Sequence, residues 1–180
     1  RTVVVPRYSY RGGDVSTYLF RRRRLDGSRN LIHTSTLVAP RAVAVDVGWA
    51  SGLDRHQDWD FVLRCVAAGT ELVQIPEPLA VLGSSERSIS GSDDWTTSLD
   101  WSRRVGTSWD PATYADFVAG QPLRYALAGR SFRGVRASLG ELWKTGHCPS
   151  PHAVALGMAG ALPRSLLVRL MHRRASLNGK

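Results

Sequence analysis

From about residue 93 onward, β-branched runs give way to a succession of helix-start and helix-stop residues, and this change constrains the fold more than any other feature. Asp110-Pro111, Ser131, Ser150-Pro151 and Pro163 suit helix starts, since a side-chain oxygen or a proline fits the unpaired amides of a first turn. Gly120, Gly129 and Gly146 suit helix stops. The spacing predicts four to six helices over residues 93–180 and no strand. Trp95, Trp101 and Trp109 cluster where that region begins, and packing between helices is the default for such residues.

The first half has mixed character. Leu31 to Val38 and Glu71 to Ile75 read as strands, while Val3 to Val5 is a short β-branched run that Pro6 interrupts, and Pro76-Glu77-Pro78 leads into Leu79 to Leu82. Between them, Asp14 is placed to cap a helix carrying Val15, Tyr18 and Leu19, and Asp26-Gly27 makes a turn. Pro40 opens a helix that Gly48 stops. A further helix runs from about Trp59 to Ala68, with Phe61, Val62, Cys65 and Val66 on its apolar face and Gly69 at its end. Residues 83–92 are rich in Ser and Gly and read as a loop. Strand alternating with helix predicts an α/β layer over residues 1–92, followed by an all-helical region over 93–180.

Net charge is +9, with a sequence pI near 10.5. That balance favours anionic partners such as nucleotide phosphates, nucleic acid or an acidic membrane surface. Arg21 to Arg24 would spread around a helix rather than form one face, and zinc-finger spacing is absent, so nucleic acid is not expected. The longest apolar run, Ala153 to Leu162, falls short of the roughly 20 residues needed to span a bilayer. No leader peptide is expected from the first residues, and Cys65, inside an apolar helical pattern, reads as a buried thiol suited to a reducing cytoplasm. Cys148-Pro149-Ser150-Pro151-His152 lacks two further metal ligands and reads as a loop before a capped helix, while His33 reads as a core or cleft histidine.

Asp58 stands at a helix start and reads two ways. Aspartate is a preferred cap, its carboxylate accepting the free amides of the first turn. The positive end of the helix dipole also keeps that carboxylate ionised and ready to accept a proton. Asp60 and Arg64 form an i, i+4 pair on the same helix. Spacing alone leaves both readings open.

The order of features is more informative. Leu31-Ile32-His33-Thr34-Ser35-Thr36-Leu37-Val38, then Gly48, then Arg55-His56-Gln57-Asp58-Trp59-Asp60-Phe61 with Leu63-Arg64, Gly69, Pro76-Glu77-Pro78-Leu79 and Ser88-Ile89-Ser90 resembles the acceptor half of family 2 glycosyltransferases with the GT-A fold. The resemblance covers about half the chain. It implies residues 1–92 as the acceptor-binding half of a GT-A domain, a partial sheet layer, with 93–180 as a helical appendage. It also implies inverting transfer of a sugar from a nucleotide-sugar donor to a glycan or lipid-linked acceptor. The family begins this helix with a Glu-Asp pair whose second member is the general base; here the pair is Gln57-Asp58, so the role carries over to Asp58.

By the same resemblance His56, Gln57, Trp59, Asp60 and Trp49 belong to the acceptor site, and Arg87, Ser88 and Ser90 to a loop over the donor phosphates. A divalent cation, Mn2+ or Mg2+, is expected for a full enzyme, with its ligands lying outside this chain. Gln-x-x-Arg-Trp, carried by processive members, is absent, which implies single-sugar transfer. The expected location is cytoplasmic, with residues 163–174 as a basic amphipathic segment at the inner face of the plasma membrane. These 180 residues alone are expected to be an inactive fragment. The competing class is a non-catalytic basic module that holds a glycan or another polyanion.

Overall fold

The computed structural model describes residues 2–3, 10, 12–21, 32–73, 75, 81–82 and 94–163. They are predominantly helical. The helices are α1 (Val15–Phe20), α2 (Arg41–Val47), α3 (Gln57–Ala67), α4 (Trp95–Val105), α5 (Pro111–Val118), α6 (Arg124–Ala128), α7 (Phe132–Thr145) and α8 (Pro151–Met158). The β structure among the described residues is one antiparallel ladder, β1 (Thr2–Val3) against β2 (Val81–Leu82), in which Thr2 pairs with Leu82 and Val3 with Val81.

The expected α/β architecture, with a GT-A sheet layer over residues 1–92, is therefore overturned. Two places show why. In the segment read as a strand from Leu31 to Val38, Thr34–Thr36 forms a 3-10 turn. The Thr36 hydroxyl donates to the His33 carbonyl at 2.8 Å and accepts from the His33 amide at 3.2 Å. Local hydroxyls thus satisfy backbone groups that a ladder would otherwise use. Ile32 is buried and Leu37 packs against the core, but at a period of two they fall on opposite faces, and Val38, on the Ile32 face, is 98% exposed. From Glu71 to Val73 no strand forms either; Val73 and Ile75 are exposed, and no neighbouring strand is described beside them.

Helix boundaries follow the capping residues closely. Asp14, Asp110, Ser131 and Ser150 each cap their helix through a side-chain oxygen, as does Asp94 at α4. Gly48 and Gly146 end α2 and α7, Gly129 ends α6, and Gly69 follows α3 at φ 83°. Gly120 departs from expectation. It lies inside a π-helical stretch, Ala119–Leu123, that joins α5 to α6 without a break. Pro122 sits in the same stretch, and its missing amide is accommodated by the wider turn.

That wide turn lies at the centre of the helical region, where α8 approaches it closely. A Cβ built on Gly157 would stand 2.5 Å from the Ala119 carbonyl oxygen, so only glycine permits this approach. Asp116, fully buried on α5, accepts from the Ser150 amide at 2.6 Å and the Ser150 hydroxyl at 3.0 Å. Arg21, at the end of α1, lies 3.4 Å from the same carboxylate and donates to the Ala112 carbonyl. One acidic side chain thus ties α1, α5 and the start of α8.

The main buried cluster is aromatic. Phe20, Trp101, Trp109 and Phe117 pack with Leu19, Phe61, Val62 and Cys65, drawing on α1, α3, α4 and α5. Phe20 has its ring centroid 4.7 Å from Trp109, 5.0 Å from Phe117 and 5.2 Å from Trp59. This core is the floor on which α3 rests.

Candidate functional site

The start of α3 brings together the residues singled out from His56 to Asp60, and the helix faces sort them. Gly52, at φ 75°, turns the chain toward α3, and His56 takes a left-handed conformation at φ 66° as its N-cap. Such a conformation is uncommon outside glycine, and histidine is among the residues enriched there. Here it is held by its surroundings: the imidazole stacks on Trp59 at 4.8 Å and lies 4.9 Å from Trp101. Its Nε2 is 2.8 Å from the Ser98 hydroxyl on α4. Burial, with the neighbouring Arg55 guanidinium adding to it, pushes the His56 pKa down to about 3, so the ring is neutral. Arg55 is itself buried, with its guanidinium 4.1 Å from the Tyr125 ring centre.

Asp58 and Asp60, two residues apart, have different surroundings. Asp60 is buried, accepting from the Trp101 indole at 3.0 Å and from the Arg64 Nε at 2.7 Å. Arg64 also donates to the Val47 and Gly48 carbonyls, closing the C-terminal end of α2. Asp60 therefore fastens α3 to α4 and, through Arg64, to α2. Asp58 is half-buried, in the first turn, and receives the Thr34 hydroxyl from the 3-10 turn. It stands second in the helix, after Gln57, so the helix opens two residues earlier than its sequence suggests. Gln57 is exposed and donates back to the Leu53 carbonyl.

Trp59 is half-buried, one face on His56, and Trp49 is 46% exposed while stacking on Phe61 at 4.5 Å. Thr34 and Ser98 were not foreseen. Thr34 lay within a run read as a strand, and Ser98 in a helix 42 residues away, so nothing local in the sequence ties either to Asp58 or His56. Arg87, Ser88 and Ser90 lie outside the described residues, as do residues 164–174 of the basic segment.

A cation does not fit the spelling Asp58-Trp59-Asp60. Both Asp60 oxygens are engaged by Trp101 and Arg64, leaving a single carboxylate at the helix start. Among the described residues no group of three or more His, Cys, Asp or Glu is placed to hold a metal ion. A cleft of about 360 Å³, lined by Tyr10, Val66, Thr70 and Leu72 among others, lies toward the opposite end of α3 from Asp58.

No family model and no solved structure matches the chain. Over 127 residues, 66% of its length, it is 32% identical to the amylovoran biosynthesis glycosyltransferase AmsB of Erwinia amylovora. The chain is related to a glycosyltransferase. The matched stretch amounts to 38% of that relative's own length, so the chain spans well under half of it. Among the described residues no helix is long and apolar enough to cross a membrane.

Proposed function

We propose that the chain carries the acceptor side of a glycosyl-transfer site of the family 2 type, with Asp58 as general base. The observation that supports this reading most is the contrast between the two carboxylates at the start of α3. Asp60 has its oxygens committed to Trp101 and Arg64, whereas Asp58 is partly open to solvent, held by one hydroxyl donor and placed in the first turn. A carboxylate bonded by an alcohol donor can exchange that donor for an acceptor hydroxyl. In the proposed step Asp58 takes the proton from the acceptor hydroxyl. The acceptor oxygen attacks the anomeric carbon, and the bond to the nucleoside diphosphate breaks with its electron pair on the leaving phosphate.

His56 and Asp60 then serve as positioning residues, and Trp59, Trp49 and Gln57 line the acceptor side. A divalent cation and the remaining donor-binding residues are proposed to come from the part of the enzyme corresponding to what AmsB has and this chain does not match; Arg87, Ser88 and Ser90 are proposed for donor phosphates. Glycan or lipid-linked acceptors, a cytoplasmic location and the division at residue 92 belong to the same proposal.

Asp58→Asn in the full-length enzyme tests it. Transfer from a radiolabelled nucleotide sugar is expected to fall by about 10²–10⁴-fold, with thermal unfolding unchanged. Transfer at the original rate would remove Asp58 as base and leave a basic glycan-binding module as the better reading.

A further inference from the structure

Helix α7 is built inside out. Its buried positions are Gly134 and Ser138, a glycine pressed against Ala126 and Trp95 and a serine hydroxyl without a hydrogen-bond partner. Its large apolar side chains point the other way: Phe132 is 83% exposed, Leu139 52% and Trp143 89%. At 100° per residue these three share one side of the helix with Arg136, and Arg133 and Lys144 flank them. All three basic residues are exposed. The acid of this helix, Glu141, is turned inward, where Arg103 at 2.7 Å and Lys144 engage it. The outward side therefore combines two aromatics and a leucine with cations and presents no carboxylate of its own.

Water is a poor solvent for such a face, and two features together select its occupant. Interior protein surfaces would match the apolar groups but leave the arginines unpaired and desolvated. A bilayer interface accepts both at once, since Trp and Phe settle at headgroup depth while Arg and Lys reach anionic phosphates. We infer that the outer face of α7 docks on an anionic lipid surface, laying the helix parallel to the bilayer with Phe132, Leu139 and Trp143 inserted. The inference is independent of glycosyl transfer, and it concerns a different segment from residues 163–174.

Co-sedimentation of the whole chain with vesicles of phosphatidylglycerol and phosphatidylcholine tests it. Binding is expected with anionic vesicles, weaker at high salt, and lost with phosphatidylcholine alone. Arg133→Gln combined with Arg136→Gln is expected to lower the partition coefficient on the order of thirtyfold. Phe132→Ser combined with Trp143→Ser should also abolish binding; since these side chains are exposed, circular dichroism should stay unchanged. A tail variant, Leu166→Ser with Leu170→Ser, is expected to retain binding. Three results would each overturn the inference: no vesicle binding by the unmodified chain, loss of binding in the tail variant with none in the α7 variants, or a dimer in light scattering that Trp143→Ser dissolves while vesicles stay unbound.

Discussion

His56 is neutral because it is buried, and that has a consequence for acid stability. Its folded-state pKa is pushed down to about 3 from an ordinary 6.5. Below pH 6.5 the unfolded chain takes up a proton at this ring that the folded chain refuses, so stability rises with pH through this range and is lost as pH falls. The loss begins near pH 6.5 and continues toward the folded value, at a slope approaching about 1.4 kcal/mol per pH unit. Asp14, Asp94 and Glu141 are held below the ordinary carboxylate range, in the two aspartates by hydrogen bonds and in Glu141 by the Arg103 guanidinium as well. They lose stability in the same direction but only where carboxylates begin to protonate, so the interval from pH 6.5 to 5 isolates the histidine. Urea midpoints measured across that interval should fall with pH, and His56→Gln should flatten the dependence. A dependence that persists in the variant would assign it elsewhere.

At the scale of elements, close approach of α8 to the π-helical stretch makes a sharper demand than any single side chain. Gly157→Ala places a methyl 2.5 Å from the Ala119 carbonyl, and backbone must move, which is expected to cost about 1–3 kcal/mol. Gly140→Ala on α7 meets nothing within 4 Å and should stabilise by roughly 0.5–1 kcal/mol, as alanine does over glycine in a helix interior. Opposite shifts in thermal midpoint would separate packing from propensity. Much at this scale was legible in the sequence: Asp14, Asp110, Ser131 and Ser150 cap as their identity suggests, because capping depends on a few neighbouring residues. The strands read over Leu31 to Val38 and Glu71 to Ile75 did not form, because β-branched residues form them only beside a partner; Thr36 bonds locally to His33 and Thr34 to the distant Asp58 instead. Within the candidate site, Asp58, Trp59 and Asp60 could be read from one stretch of chain. Their division into an engaged and an open carboxylate could not, since it depends on Trp101, 41 residues away.

For the molecule as a whole, the aromatic core decides how unfolding must proceed. Phe20 comes from α1 and Trp59 from α3, while Trp101, Trp109 and Phe117 belong to α4, the segment following it and α5. The buried cluster thus crosses residue 92, and so do the Asp60–Trp101 and His56–Ser98 hydrogen bonds. Opening either side would expose rings on the other and strand the Asp60 carboxylate, so neither side has a low-energy way to open alone. Tryptophan fluorescence reports chiefly on this core, and far-ultraviolet circular dichroism on the helices, which are concentrated after residue 94. The two signals are expected to give one coincident urea transition. Phe20→Ala removes a ring that is 1% exposed and should destabilise both signals together by about 3–5 kcal/mol. If the helical signal kept its original midpoint while fluorescence shifted, the region after residue 94 would hold its structure without α1, and the aromatic cluster would not be the common core.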